Sequence, residues 1–376
     1  MEKAYIVMEN GRVFEGWRFG APADAVGEMV FTTAAGGYIE TLTDPSYFGQ
    51  IVVQTFPLIG NYGMNREDWE SRGAFLRGYV AREICDTPSN FRCECTVDEQ
   101  LKAWGIPGVC GVDTREITRA IREEGALNAA ITSDPDAVDF AALRAYRIVD
   151  AVKSVSCGEI ETYGPEAENA SHLIALYDFG AKRGIIKELV KRNCRVVSFP
   201  CTMDAQALLD IHPDGIVLSN GPGDPAENDF AVAQVKKLLG RAPLLGVCLG
   251  HQILGLAAGA ERVKMKFGHR GANQPVRHLA SGRVYITSQN HGYAVVGDTL
   301  PQGVRLSMVN ANDGSCEGLE IPALRAFSTQ FHPEAHGGPC DTGFLFDEFL
   351  AMTGGGEECR AIRVSTRCWS SAPARS

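Results

Sequence analysis

From residue 172 onward, apolar positions fall into short alternating units. "LIALYDF" (173–179) is an apolar run of strand length. In "AKRGIIKELVKRN", Ile185, Ile186, Leu189 and Val190 recur at helical spacing, and "RVVSF" (195–199) returns to a strand. "MDAQALLDI", "GIVLS" (215–219), "FAVAQVKKLLG" and "APLLGV" (242–247) continue the alternation. Strand–helix repeats of this length need right-handed crossovers and bury a parallel sheet on both faces. The pattern therefore predicts an α/β fold whose C-terminal part, 172–352, is a doubly wound, mostly parallel sheet.

The first half reads differently. "AYIVMENGRVFEG" has the form of a hairpin with its turn at "ENG". "DTREITRAIREEG" (113–125) predicts a helix capped by Asp113, with Glu116 at the capping-box position, Ile117, Ala120 and Ile121 on one face, and Gly125 at its end. Residues 1–150 are expected to form a smaller mixed α/β domain. The polar, aperiodic stretch 151–171 is read as a linker, and the segment 353–376, with three glycines at 354–356, as a disordered tail.

Composition narrows the function classes. The 376 residues are 45% hydrophobic and 22% charged, ordinary globular values. A net charge of −10 argues against a nucleic-acid partner, because phosphate binding needs clustered Lys and Arg. No apolar run reaches the roughly 20 residues of a membrane span. Without an N-terminal segment of signal-peptide type, the expected location is the cytoplasm, where the 12 cysteines stay reduced. Cys93 and Cys95 lack metal-ligand spacing, so no metal site is expected.

The candidate chemistry centres on "GVCLGHQILG" (246–255), where Cys248 stands between glycines as a strand gives way to a helix. This is a nucleophile elbow with sulfur in place of oxygen, and a helix N-terminus there lowers a thiol pKa. Of the eight histidines, His332 in "FSTQFHPEAHG" stands two residues from Glu334. If the strand "RAFSTQF" continues to Glu334, both side chains share a face and the carboxylate can orient the imidazole. His251 is nearer Cys248 in sequence but is expected to pack or to stabilise the loop. Backbone N–H groups for an oxyanion are sought at Gly221 in "SNGPGDP" and at Leu249. Each motif alone is compatible with a plain turn; their joint presence in one α/β unit favours catalysis.

"SNGPGDP", "GVCLGHQILG" and "FHPEA" resemble the three blocks of class I, triad-type glutamine amidotransferases, whose fold is flavodoxin-like. "TDPSYFGQIVVQTFPLIGNYG" (43–63), "GVDTREITRAIREEGALNAAI" (111–131), "YDFGAKRGIIKELVKR" and "KFGHRGANQPV" are similar to the small, glutamine-hydrolysing chains of carbamoyl-phosphate synthase. The resemblance implies Cys248 as nucleophile, His332 as base and Glu334 as its partner. It implies glutamine held by Ser46, Gly221, Gly223, Leu249, Gln252, Asn290, Gly292 and Tyr293, the last standing where the family usually has Phe. No cofactor is expected in this chain. ATP and Mg2+ belong on a large-chain partner that makes carbamoyl phosphate from bicarbonate and ammonia for arginine and pyrimidine biosynthesis, in a heterodimer or an assembly of heterodimers. The competing readings are an amidotransferase serving another synthetase, a catalytically silent binding subunit, and a thiol redox sensor.

Overall fold

The structure, a computed structural model, describes residues 2–335 and 337–354. The expected tail therefore lies almost wholly outside the described residues. Seven strands of the first half close into a barrel. In order around it they are Lys3–Met8, Val13–Gly20, Pro107–Cys110, Gly78–Val80, Gln50–Gln54, Ala25–Thr32 and Leu127–Thr132. The expected hairpin is present, with Val7 opposite Val13 and Gly11 in the left-handed region at φ 91°. Alternating side chains feed two cores: Ile51 and Val53 face one, Val52 the other. The helix Thr114–Glu124 covers the first with Ile117, Ala120 and Ile121, and the Asp113 carboxylate accepts from the Glu116 N–H at 3.0 Å. The barrel is an addition to the expected mixed α/β unit. Strands there are short and joined at long range, so single-strand patterning does not reveal closure.

The second half carries a ten-stranded sheet. Its parallel core runs Cys194–Pro200, His172–Asp178, Gly215–Leu218, Leu244–Val247, Ala326–Thr329. Helices cover both faces: Leu208, Val235 and Ile253 pack beneath Tyr177, Ile216 and Leu244, while Ile185, Leu189, Phe346 and Phe349 pack against Ile174, Val217 and Leu245. The expectation of a mostly parallel sheet needs correction. Beyond Ala326–Thr329 the sheet continues antiparallel through Cys316–Ile321, Arg305–Asn310, Arg262–His278 and Val284–Val295. These wing strands escape the alternation rule because Val263, Val284 and Ile286 are exposed and the Arg262–His278 strand is broken by register shifts around Gly268 and Gly271.

Residues 151–171, expected as a linker, carry a helix, Ala151–Val155, and a strand, Glu161–Tyr163, that pairs antiparallel with Cys194–Pro200. Val152 joins the core of the second unit, and the Cys157 N–H donates to Asp178 Oδ2 at 2.7 Å. No helix among the described residues is long and apolar enough to cross a membrane.

Candidate active site

Cys248 lies between the strand Leu244–Val247 and the helix Leu249–Ala258, at φ 53° and ψ −104°. That is a strained conformation for a residue with a Cβ, as a nucleophile elbow requires. The flanking glycines are steric necessities. A Cβ on Gly246 would lie 2.8 Å from the Gly250 carbonyl O, and one on Gly250 2.3 Å from the Leu218 carbonyl O. The thiol is buried, 3.7 Å from the Asn290 carbonyl O. Leu249 opens the helix, so its N–H has no intrahelical acceptor. Gly221 admits no side chain either, since a Cβ would stand 2.2 Å from the Phe179 carbonyl O.

His332 and Glu334 meet, but not along a continuous strand. The strand ends at Thr329; His332 makes an isolated bridge to Ser288, and Pro333 and Glu334 form a turn. Proline cannot donate to a ladder, so pairing stops there and the turn brings His332 Nδ1 to 2.6 Å from Glu334 Oε1. Both side chains are about 1% exposed. Burial and Lys182 oppose protonation of His332, but Glu334 and Cys248 overcome them and push its pKa up to about 10. Burial likewise works against ionised Glu334, yet His332 and Lys182 hold its pKa below the ordinary carboxylate value. Among the described residues no nitrogen or oxygen engages His332 Nε2, whose neighbour is the Cys248 side chain, so it remains available to a reacting group there.

Three charges that sequence reasoning did not single out surround this pair. Lys182 Nζ lies 3.4 Å from Asp44 Oδ2 and 4.0 Å from Glu334 Oε1. Burial disfavours its charge, but Asp44, Glu334 and Glu70 raise its pKa on balance. Asp44 accepts from Asn290 Nδ2 at 3.0 Å and from the Ser46 N–H at 2.9 Å. Asn220 Nδ2 donates to Ser46 Oγ at 3.1 Å, while its Oδ1 accepts from the Lys182 N–H at 2.9 Å. Glu70 Oε2 accepts from the Gly184 N–H at 2.9 Å, capping the helix Arg183–Lys191 from the first unit. Asp44 lies in "TDPSYFG" and Lys182 in "YDFGAKRG"; a lysine at a strand-to-helix junction beside apolar residues was the available signal.

A cavity of about 530 Å³ opens between the two units. Ser46, Gly221, Gly223, Cys248, Gln252, Asn290, Gly292 and Tyr293 line it; Leu249 is instead a core residue, and His332 and Glu334 stand behind the wall. Gln252 Nε2 donates to the Tyr293 carbonyl O at 2.7 Å and to Gln330 Oε1 at 2.9 Å, which fixes the strand bearing Asn290 and Gly292. His251 is fully buried with Nδ1 2.9 Å from Ser328 Oγ, and burial drops its pKa to about 3. It packs as a neutral ring.

His269, His291 and Glu317 bring possible metal-ligand atoms within 4.8 Å of one another. Amides already engage those atoms. Gln289 Oε1 is 3.0 Å from His291 Nε2, Gln289 Nε2 donates to Glu317 Oε2 at 3.0 Å, and Asn310 Nδ2 donates to Glu317 Oε1 at 3.2 Å. The cluster is a hydrogen-bond network behind the Asn290–Tyr293 wall.

Comparison with known proteins covers both halves of the chain. Residues 6–131 match the family model for the carbamoyl-phosphate synthase small chain, CPSase domain, and residues 175–352 that for class-I glutamine amidotransferase. The carbamoyl phosphate synthase small chain of Clostridium perfringens is 47% identical over 350 residues, covering 93% of this chain and 99% of the relative. That of Bacillus caldolyticus is 49% identical over 355 residues, covering 93% and 96%. That of Fusobacterium nucleatum is 44% identical over 351 residues, covering 93% and 98%. With both halves matched in order and nearly the whole length aligned, the chain belongs to the family of carbamoyl phosphate synthase small chains.

Proposed function

We propose that this chain hydrolyses glutamine to glutamate and ammonia in the cavity between its two units and passes the ammonia to a carbamoyl-phosphate synthase large chain. The observation that carries the mechanism is the buried His332–Glu334 pair beside Cys248 on its strained elbow. With its pKa pushed up to about 10, His332 carries a proton at neutral pH and stands as an imidazolium beside the Cys248 sulfur. The sulfur attacks the carboxamide carbon, and the oxyanion formed is met by the N–H groups of Gly221 and Leu249. As the C–N bond breaks, His332 gives its proton to the leaving amine. Water then attacks the thioester carbon while His332 takes a proton, releasing glutamate and the thiolate. Ser46, Gly223, Gln252, Asn290, Gly292 and Tyr293 hold the amino-acid part of the substrate.

Ammonia in neutral water becomes mostly ammonium, which is no nucleophile, so a closed route to the large chain follows from the chemistry. ATP, Mg2+ and bicarbonate are used there, in the cytoplasm and in a heterodimer or an assembly of heterodimers. We take residues 1–150 and 172–352 as the bodies of the two domains, with 151–171 packed onto the second, a doubly wound flavodoxin-like unit. The test is glutamate release with and without the large chain, ATP and bicarbonate. Stimulation of about 5–150-fold by the partner is expected, together with loss of glutamine-dependent activity in Cys248→Ser. A full rate from the isolated chain would instead make it a free-standing glutaminase.

A further inference from the structure

The rim of the cavity carries a feature that hydrolysis itself does not use. Arg262 and Lys264, two residues apart at the start of the Arg262–His278 strand, share one face of it. Lys264 is directly opposite Tyr293 in the register. The Arg262 guanidinium carbon lies 5.4 Å from the Tyr293 ring centre and the Lys264 ammonium 5.9 Å from it. Each cation also holds a carboxylate: Arg262 Nη2 is 2.7 Å from Asp224 Oδ2, and Lys264 Nζ is 2.9 Å from Glu28 Oε2. Asp224 follows Gly223 in the glycine turn, where its Oδ1 accepts from the Ala226 N–H at 2.9 Å. Glu28 belongs to the barrel and accepts from Gln50 Nε2 at 2.9 Å.

We propose that Asp224, Arg262, Tyr293, Lys264 and Glu28 form a clasp across the mouth of the cavity, and that Arg262 is a positioning residue for glutamine. The proposal rests on the glutamine reading above. Asp224, Tyr293, Lys264 and Glu28 line the cavity; Arg262 does not, and acts through them. It does so in two ways. Its charge over the ring, together with its bond to Asp224, fixes the aromatic wall against the glycine turn. It also balances the negative lip of the cavity, where Asp224 and Glu227 both stand. Glu227 has a raised pKa from burial, Asp224 and Asp150, and Arg262 is the cation that opposes this. Without Arg262, Asp224 and Glu227 would face the α-carboxylate of the substrate with less opposing charge, although Arg144 and Arg147 also line the cavity. The Lys264 arm is the weaker one, because its side chain is 51% exposed against 33% for Arg262. Both effects act on the bound ground state and leave the Cys248–His332 geometry alone, so they belong in KM.

Steady-state glutamate release by the complex with the large chain, ATP and bicarbonate tests this. Arg262→Ala should raise KM for glutamine about 5- to 20-fold, with kcat within about twofold. Arg262→Lys should fall between, since an ammonium keeps the charge but not the planar stack or fork. Asp224→Asn breaks the bond to Arg262 but also removes one negative charge from the lip, so its KM should rise less than that of Arg262→Ala, and the Arg262→Ala, Asp224→Asn double variant should be no worse than Arg262→Ala alone. Carbamoyl phosphate synthesis from added ammonia bypasses the cavity and should stay constant in all of them. An unchanged KM in Arg262→Ala, or a fall in kcat and melting temperature with no change in KM, overturns the clasp. Cys248→Ser, measured alongside, separates the two ideas: turnover in that variant removes the glutamine reading itself, whereas a silent Cys248→Ser with an unaffected Arg262→Ala removes only the clasp.

Discussion

Adding one methyl group at Gly250 perturbs the elbow without touching a reacting atom. The new Cβ would stand 2.3 Å from the Leu218 carbonyl O and 2.7 Å from Leu218 C and Cβ. Leu218 ends a strand paired on both sides in the parallel core and cannot step aside. The helix Leu249–Ala258 must therefore withdraw by about 1 Å to restore an ordinary C···O contact of about 3.3 Å. That motion stretches the 3.0 Å bond from the Gly250 N–H to the Ser219 carbonyl O and carries the Leu249 N–H and Cys248 with it. Misplacing reacting groups by about 1 Å costs on the order of 100-fold in rate. Overpacking costs about 1–3 kcal/mol, which for a unit of 150–250 residues lowers the melting temperature by roughly 2–12 °C. Glutamate release and thermal unfolding of Gly250→Ala measure both, with Gly158→Ala as reference because a Cβ there meets nothing within 4 Å. If Gly250→Ala keeps its kcat within threefold and melts with the wild type, the close approach of helix and strand does not position the nucleophile, and the reasoning fails.

Three further outcomes are expected. The raised pKa of His332 means that its protonation stabilises the fold fully below about pH 6.5, the unfolded value, and that this contribution disappears as pH rises through about 10. Glu334→Gln should flatten that decline in denaturant titrations between pH 6 and 10; an identical slope in wild type and variant would show that the pair does not set the titration. Ser46→Ala removes the acceptor of Asn220 Nδ2 and part of the cavity wall, and should raise the glutamine KM about tenfold with a smaller effect on kcat, as initial-rate measurements would reveal. A chain begun at residue 172 should unfold at lower denaturant than one begun at 150, because the first lacks Val152 in the core and the edge strand Glu161–Tyr163; equal midpoints would make 151–171 a true linker.

What the sequence disclosed follows from how local each signal is. The strands and helices from 172 to 258 were legible because a buried parallel strand and its helix each announce themselves within ten residues. Cys248, His332 and Glu334 stood out because their flanking residues are fixed by chemistry at short range. Asp44 and Lys182 did not, since their meaning depends on a 3.4 Å contact between residues far apart in the chain. The barrel and the antiparallel wing were hidden for related reasons: one is a closure among distant strands, the other runs with exposed valines and register shifts that blur a two-residue period. The short helix Ala151–Val155 was lost in a polar stretch because it is a single turn and a half, below the length at which periodicity speaks.

Glu70 and Asp44 make the two halves of this chain poor candidates for free recombination. The helix Arg183–Lys191 has no side-chain cap of its own; Glu70, more than a hundred positions earlier, supplies it, and the Arg183 N–H donates to the Glu70 carbonyl O at 2.7 Å. Lys182, immediately before that helix, finds its nearest anion in Asp44. A chimera that grafted an amidotransferase half onto a foreign N-terminal unit would leave a helix end open and a buried ammonium short of its counter-charge. Such a graft succeeds only if the new unit brings an acceptor to each of those two points, so modularity here is limited to partners that already share them.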